Sequence, residues 1–213
     1  MRNHRFTFTV QDLRRLQSLV GAQWLYIAGD TLGPDFNTPF DVIVGTTGGS
    51  VRVVSTIDEA DFQDDEPMTY SVLSVSEDVS GFAQAQRRGN VYVHHQREHL
   101  MDLLIVRETI IESENEQESW EYITDIGVVF VLSGGAVAVS KGSHHTQMLV
   151  VRMAPTVDAL DIPDRAIEWT DDLTIKHVTT REFLPIDTLL TKQCKFNSRA
   201  SSDHVDAPIW SGG

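Results

Sequence analysis

Apolar residues near the start of the chain follow a helical period. They recur at intervals of three and four residues, at Val10, Leu13, Leu16 and Val20. This spacing places the four side chains on one face of an α-helix. Thr9 and Asp12 form a capping box at the start of the segment, because a threonine side chain accepts a hydrogen bond from the backbone amide three residues later. The pattern predicts a short helix that begins at Thr9 and ends before Gly21.

Beyond Gly21 the period changes to two. Short runs rich in β-branched and aromatic residues are separated by Gly, Pro, Asn and Asp, the usual composition of strands and turns. These runs span residues 22–28, 40–46, 51–57, 70–75, 104–111 and 148–153. A second short helix is predicted over residues 96–104. The chain is therefore expected to consist mainly of antiparallel strands.

Two segments of the chain share a pattern. Residues 42–53 align without a gap with residues 128–139, and each copy contains a strand, a Gly-Gly pair and a second strand. The pairs Gly48-Gly49 and Gly134-Gly135 are expected to supply the positive φ angles of two-residue hairpin turns. A further apolar strand follows each hairpin. The pattern favours an internal duplication, although Gly-Gly hairpins also recur by chance in β-rich chains.

These patterns predict an α+β fold, mainly antiparallel β, in which two similar helix-plus-meander halves form one compact body. The first half, residues 1–80, is an N-terminal helix followed by a β-meander. The second half, residues 90–191, is a C-terminal β-meander, and the polar residues 81–90 join the two. Residues 192–213 are rich in Lys, Asn, Ser and Asp and are predicted to form a flexible polar tail.

The charge of the chain is strongly negative. Among 213 residues, 31 are Asp or Glu and 17 are Lys or Arg, which gives a formal charge of −14. Such a field repels phosphate backbones and anionic lipids, so no direct nucleic-acid or membrane binding is expected. The hydrophobic fraction of 41% is too high for a disordered chain. The single cysteine, Cys194, and the lack of an apolar signal segment favour a cytoplasmic location.

Acidic residues are concentrated in two runs. The first run has six carboxylates in nine residues, at Asp58, Glu59, Asp61, Asp64, Asp65 and Glu66. The second run alternates glutamate with polar residues, at Glu112, Glu114, Glu116 and Glu118. An extended backbone would place these four side chains on one side, about 6–7 Å apart. Such a row favours steering toward a basic protein surface, and solvated loops are the alternative.

A histidine pattern indicates a metal site instead. His95, Glu98 and His99 match the H-x-x-E-H spacing that inverted zinc peptidases use on a helix. Histidines four residues apart share a helical face and can bind Zn, while the glutamate activates a water molecule. If the two halves pack together, three further histidines join this set, His94, His144 and His145. Surface histidines that bind no metal are the alternative.

The chain contains no nucleophile elbow, P-loop or dinucleotide-binding glycine pattern. Phe62, Trp120 and Tyr122 stand beside the acidic runs and are candidate aromatic anchors. The favoured expectation is a non-catalytic, acidic cytoplasmic interaction protein, without a cofactor, that binds a basic protein surface as an inhibitor, immunity protein or nucleic-acid mimic does. The alternatives are a metal-dependent enzyme or metal-binding protein that holds Zn with the histidine cluster of residues 94–99, and a structural subunit of a larger assembly.

Overall fold

Alternating apolar runs form strands along most of the chain. The computed structural model describes residues 2–29, 37–60, 68–78, 87, 90–93, 97–114, 117–162 and 175–192. In chain order the strands are β1 (Arg2–Phe6), β2 (Trp24–Gly29), β3 (Asn37–Pro39), β4 (Asp41–Thr46), β5 (Gly49–Ala60), β6 (Met68–Glu77), β7 (Asn90–Val93), β8 (Leu100–Glu114), β9 (Gln117–Leu132), β10 (Gly135–Lys141), β11 (Met148–Ala154) and β12 (Ile175–Pro185). The helix α1 (Val10–Gln17) follows β1, a 3-10 turn spans Val157–Ala159, and residues 186–192 are helical.

The strands of the described residues form two sheets. In the larger sheet the order is β12-β8-β9-β10-β11-β3, and β1 lies parallel to β9 beside residues 120–124. In the smaller sheet the order is β6-β5-β4-β2-β7. The strand pairs other than β1 with β9 are antiparallel. The prediction of an α+β, mainly antiparallel fold is thereby confirmed.

Each sheet combines strands from both predicted halves. β1 and β3, from residues 1–80, pair with β9 and β11 of the larger sheet. In the smaller sheet β7, from residues 90–191, pairs with β2. The division into two similar halves therefore stays a prediction. The predicted tail from residue 193 onward, and most of the predicted join, lie outside the described residues.

Apolar side chains of the two sheets meet face to face. Val44 and Val51 of the smaller sheet belong to the same buried cluster as Phe130 and Val137 of the larger one. The ring of Trp24 on β2 lies 5.4 Å from the ring of Phe130 in an edge-on contact. Helical residues contribute to the same cluster, with Leu13, Leu16, Ile186 and Leu189 buried. Burying one such side chain contributes about 1.5–3 kcal/mol, so this cluster is the main core of the fold.

The repeated sequence pattern corresponds to two hairpins of equal register. Val44 pairs with Val51 in the first hairpin, and Phe130 pairs with Val137 at the matching positions of the second. One hairpin lies in each sheet, and both present these residues to the shared core. The aligned valines are therefore explained by equivalent packing.

The turns of these hairpins lie one residue earlier than predicted. Thr47-Gly48 and Ser133-Gly134 form the two-residue connections, because Gly49 and Gly135 already pair as the first residues of the following strands. Of these glycines, Gly49 has a positive φ, +140°. The expectation that each Gly-Gly pair supplies the two turn residues was therefore wrong.

The helix α1 forms as its capping box predicts. Thr9 Oγ1 accepts a hydrogen bond from Asp12 N at 3.2 Å, and Asp12 Oδ2 accepts one from Thr9 N at 2.9 Å. The helix ends at Gln17, before the apolar pattern does, and in consequence Leu19 is buried while Val20 is exposed.

No helix in the described part of the chain has the length and apolar character needed to cross a bilayer.

The predicted helix over residues 96–104 is wrong. Residues 97–99 are not helical, and Leu100 begins β8. A β-bulge between Leu100 and Asp102 shifts the alternation of β8 by one residue. Leu100 and Leu103 therefore both reach the core, at the three-residue spacing that is typical of a helix. The strand expected over residues 104–111 lies within β8.

Candidate functional site

Two long hairpins extend past the core at the same end of the molecule. Tyr70 on β6 pairs with Asp58 on β5, and Tyr122 on β9 pairs with Ile110 on β8. The rings of Tyr70 and Tyr122 lie 5.2 Å apart, so the β5–β6 and β8–β9 hairpins are neighbours there. We call this region the hairpin end and define it as residues 55–60, 68–71, 107–114, 117–125 and 141–148.

The described parts of both acidic runs lie at the hairpin end. Asp58 and Glu59 are exposed on β5, and Glu118 is exposed on β9. Glu114 ends β8, where its backbone pairs with Gln117. Glu112 is also described, and the five remaining members of the two runs fall outside the described residues, namely Asp61, Asp64, Asp65, Glu66 and Glu116. The fold thus brings together acidic segments that are far apart in sequence.

The four glutamates of the second run do not form one extended row. The chain reverses direction between Glu114 and Gln117, so the run belongs to two strands. Glu112 is buried, accepts a hydrogen bond from Ser119 Oγ at 2.8 Å, and lies 3.0 Å from His177 Nε2. The Glu112 carboxylate therefore contacts Ser119 and His177 inside the protein and does not contribute to an acidic surface.

The aromatic residues that follow the second acidic run are buried. Trp120 and Tyr122 have almost no exposed surface, so the expectation that they act as exposed anchors was wrong. They face inward with Phe6 and Tyr70, because alternate residues of β9 point to the same face of the sheet. Phe62 lies outside the described residues.

A buried ion pair lies beneath this aromatic cluster. Glu108 Oε2 is 3.1 Å from His144 Nε2, and Glu108 Oε1 accepts a hydrogen bond from Arg181 Nε at 2.9 Å. Burial alone raises the pKa of Glu108, but the hydrogen bonds and positive charges of His144 and Arg181 outweigh it, and the pKa of Glu108 is lowered. The carboxylate is therefore ionised at neutral pH.

A second glutamate–histidine pair repeats this arrangement along β8. Glu112 lies four residues after Glu108 on the same face of the strand, about 13 Å away, and contacts His177. Each histidine also contacts an aromatic ring of β9. The ring centroids of Tyr122 and His144 are 5.9 Å apart, and those of Trp120 and His177 are 5.8 Å apart. The inner face of β8 and β9 thus carries two successive glutamate–histidine–aromatic contacts.

Lys141 is the most buried cation of the hairpin end. Its Nζ donates hydrogen bonds to the Ser71 carbonyl oxygen and, at 2.8 Å, to Thr124 Oγ1. Burial lowers the pKa of Lys141 to about 7, although the negative charges of Asp125 and Glu108 act to raise it. At slightly alkaline pH this side chain is therefore a neutral amine.

Asp125 and Arg107 form a further buried pair. Arg107 Nε and Nη2 donate to the two Asp125 oxygens at 2.7 and 3.1 Å. Asp125 Oδ2 also accepts a hydrogen bond from Phe8 N at 2.7 Å, which links the start of α1 to β9. Bidentate pairing of this kind fixes the geometry of both side chains, so the charged groups hold the strands of the hairpin end together.

Among the described histidines of the predicted metal site, His99 lies apart from His144 and His145. His144 and His145 lie between β10 and β11 at the hairpin end. His99 instead pairs beside Ser133 at the opposite end of β10, which spans seven residues or about 20 Å. His94 and His95 lie outside the described residues.

The zinc pattern also requires a helix, and the described part of the motif, residues 97–99, is not helical. Glu98 and His99 lie in a non-helical segment, and Glu98 is buried. No group of three potential metal ligands occurs among the described residues. Glu98 and His99 therefore lack the helical geometry of the zinc pattern, and the metal site itself stays a prediction, because His94 and His95 lie outside the described residues.

Two features of the site were missed in the sequence. His177 and Arg181 lie on β12, which was not predicted, and they supply partners for Glu112 and Glu108. One sequence signal indicated this site. Glu108, Ile110 and Glu112 alternate along β8 with the same two-residue period as Trp120 and Tyr122 along β9, which indicates that these residues share one face of the sheet.

Comparison with protein-family models, curated proteins and solved structures gives no match for this chain.

Proposed function

We propose that this chain is a non-catalytic interaction protein that binds a basic protein surface at the hairpin end. The hairpin end contains two basic residues, Arg107 and Lys141, and both are buried. It contains eight acidic residues. Three of them, Glu108, Glu112 and Asp125, are buried, three are exposed, Asp58, Glu59 and Glu118, and the other two are Glu114 and Glu121. This imbalance, with the cations turned inward, is the observation that carries the proposal.

Internal pairing leaves the surface of this region acidic. Arg107 is matched by Asp125, and Arg181 by Glu108, so these arginines do not offset the exposed carboxylates. Arg5 on the adjacent β1 pairs with Ile123 and lies on the opposite face of the larger sheet from Tyr122. A surface of one sign speeds association with an oppositely charged partner and makes binding sensitive to salt.

A capture experiment with matched variants tests the proposal. The full chain is immobilised, exposed to a lysate of the source organism, and its bound proteins are identified by mass spectrometry. One variant carries Asp58→Asn, Glu59→Gln and Glu118→Gln. The control carries Asp158→Asn, Asp161→Asn and Glu182→Gln, which removes three exposed charges elsewhere.

The expected result is a partner of basic isoelectric point that the wild type and the control retain and the hairpin-end variant loses. Rising salt concentration should release the same partner. Equal retention by both variants, or binding that ignores salt, contradicts the proposal. So does a captured partner that is acidic or neutral.

Two finer expectations belong to the same proposal. The cytoplasmic location is supported by the single cysteine of the chain. An internal duplication is supported by the equal register of the two glycine hairpins. Neither is needed for the binding experiment.

A further inference from the structure

Phe40 has an unusual backbone conformation. Its φ angle is +69°, and it is the only non-glycine residue in the described part of the chain with a positive φ. The left-handed region is uncommon for any residue with a side chain and is a genuine outlier for a bulky one. Phe40 lies between β3 of the larger sheet and β4 of the smaller one, so the chain changes sheet at this residue.

Neighbouring strands fix this conformation from both sides. Phe40 N donates a hydrogen bond to the Gln147 carbonyl oxygen at 3.1 Å, and the Phe40 carbonyl oxygen accepts one from Ser55 N at 2.7 Å. The backbone is therefore held, yet the side chain is 54% exposed. Glycine would adopt the same φ without a Cβ penalty. Packing in the core does not explain why a phenylalanine occupies this position.

Two other exposed apolar residues lie on the strands that hold the Phe40 backbone. Met148 is 42% exposed and pairs with Pro39, the residue before Phe40. Ile57 is 39% exposed and follows two residues after Ser55 on β5. Phe40, Ile57 and Met148 form what we call the apolar patch. The apolar patch overlaps the hairpin end, which includes Ile57 and Met148, and the exposed Asp58 and Glu59 follow Ile57 directly.

We propose that the apolar patch is the anchor by which the hairpin end holds its partner, with the Phe40 ring received by an apolar socket on a basic protein surface. This inference rests on the proposed function. A rigid aromatic residue beside charged groups is the usual composition of an interface hot spot. A second copy of this chain is disfavoured as the occupant, because it would bring like charges together around Asp58 and Glu59.

Binding of two model peptides separates the anchor from the charge. One probe is oligolysine, and the other has the same number of lysines interspersed with leucines. Their dissociation constants are measured by isothermal titration calorimetry for the wild type, for Phe40→Ser, and for the variant with Asp58→Asn, Glu59→Gln and Glu118→Gln. The matched control is Phe183→Ser, since Phe183 is also exposed, at 41%, on the edge strand β12.

We expect Phe40→Ser to weaken binding of the leucine-containing peptide about tenfold or more and to leave oligolysine binding unchanged. Phe183→Ser should alter neither. Phe40→Tyr, which keeps the ring, should restore the affinity of the leucine-containing peptide.

If Phe40→Ser and Phe183→Ser have equal effects while the charge variant weakens both peptides, the anchor is wrong and the proposed function stands. If the charge variant binds both peptides as the wild type does, the acidic contact is wrong, and the anchor proposal falls with it. Urea denaturation of each variant excludes unfolding as the cause of a loss.

Discussion

Glu108 Oε2 lies 3.1 Å from His144 Nε2, and neither side chain has appreciable contact with solvent. This pair joins β8 to the segment between β10 and β11, and Arg181 extends it to β12 through Glu108. A buried ion pair gains little net energy over an apolar packing of the same shape, but losing one partner leaves an uncompensated charge. The carboxylate of Glu108 therefore connects three elements, namely β8, β12 and the segment between β10 and β11.

Replacing Glu108→Gln should lower the free energy of unfolding by about 3 kcal/mol, because the guanidinium of Arg181 loses its counter-charge in the interior. Equilibrium urea denaturation at neutral pH measures the change. The control is Glu182→Gln on β12, which is exposed and should change stability by less than about 0.5 kcal/mol. Equal effects of the two substitutions would show that the buried Glu108 stabilises the fold no more than the exposed Glu182 does.

The lowered pKa of Glu108 also predicts part of the acid denaturation. Since the folded-state pKa of Glu108 lies below the ordinary glutamate pKa of 4.5, the stabilisation is fully present above pH 4.5. It is lost as the pH falls through the folded-state pKa. Glu108→Gln should therefore flatten the loss of stability below about pH 4.5. If Glu108→Gln and the wild type lose stability equally below pH 4.5 in urea denaturation, Glu108 does not contribute to the acid denaturation.

Lys141 gives a dependence of the same sense at neutral to alkaline pH, since its stabilising effect also grows as the pH rises. Its pKa is lowered from 10.5 to about 7, so between these values the unfolded chain binds a proton that the folded chain does not. The free energy of unfolding should therefore increase with pH over this window, by at most about 1.4 kcal/mol per pH unit. Lys141→Met should remove that slope.

Urea denaturation between about pH 7 and about pH 9.5 measures the slope, below the range in which tyrosines ionise in the unfolded chain. Lys192→Met is the matched control, because Lys192 is exposed. Identical slopes for Lys141→Met and the wild type would mean that Lys141 stays charged in the folded state.

Elements governed by local interactions were predicted well from the sequence. The capping box of Thr9 and Asp12 acts within four residues, and α1 begins where it indicates. The β8 segment was misassigned because a bulge gave Leu100 and Leu103 a helical spacing. β12 was missed because its inner face carries polar residues such as His177 and Arg181, so it lacks the apolar alternation that identifies a strand.

The candidate site was harder to predict because its partners are distant in sequence. His177 and Glu112 are separated by 65 residues, and Arg181 and Glu108 by 73. Glu112 belongs to an acidic run, which indicates exposure, and only the pairing of β12 with β8 shows that it is internal. The sequence likewise gives no sign that Phe40 stands in the left-handed region, because that conformation is set by the crossing between sheets.

Phe40→Gly should be about 1–2 kcal/mol less costly than Phe183→Gly, because glycine adopts φ of +69° without the Cβ penalty that a side chain carries there. Phe183→Gly is the matched comparison. Phe183 lies in extended β12, where glycine costs about 0.5–1 kcal/mol in backbone entropy, so this substitution should be destabilising. Thermal and urea denaturation of both variants measure the difference. Equal losses of stability in the two variants would show that the Phe40 ring contributes to packing.

Asp12 connects the helix cap to the edge of the smaller sheet. Its Oδ2 accepts from Thr9 N, and its Oδ1 accepts a hydrogen bond from Val75 N on the edge strand β6 at 2.8 Å. Asp12→Ala removes the cap and leaves a buried backbone donor unsatisfied, so the free energy of unfolding should fall by about 2–3 kcal/mol. Thr9→Ala, which removes only the cap, should cost about 1 kcal/mol.

Arg14→Ala serves as the control for Asp12, because Arg14 is exposed on the same helix and should change stability by less than about 0.5 kcal/mol. Native-state hydrogen exchange adds a local measurement, since the Val75 amide should lose protection in Asp12→Ala and keep it in Thr9→Ala. Equal protection of that amide in both variants would mean that Asp12 acts on the helix alone and that the edge of β6 is held by other contacts of α1.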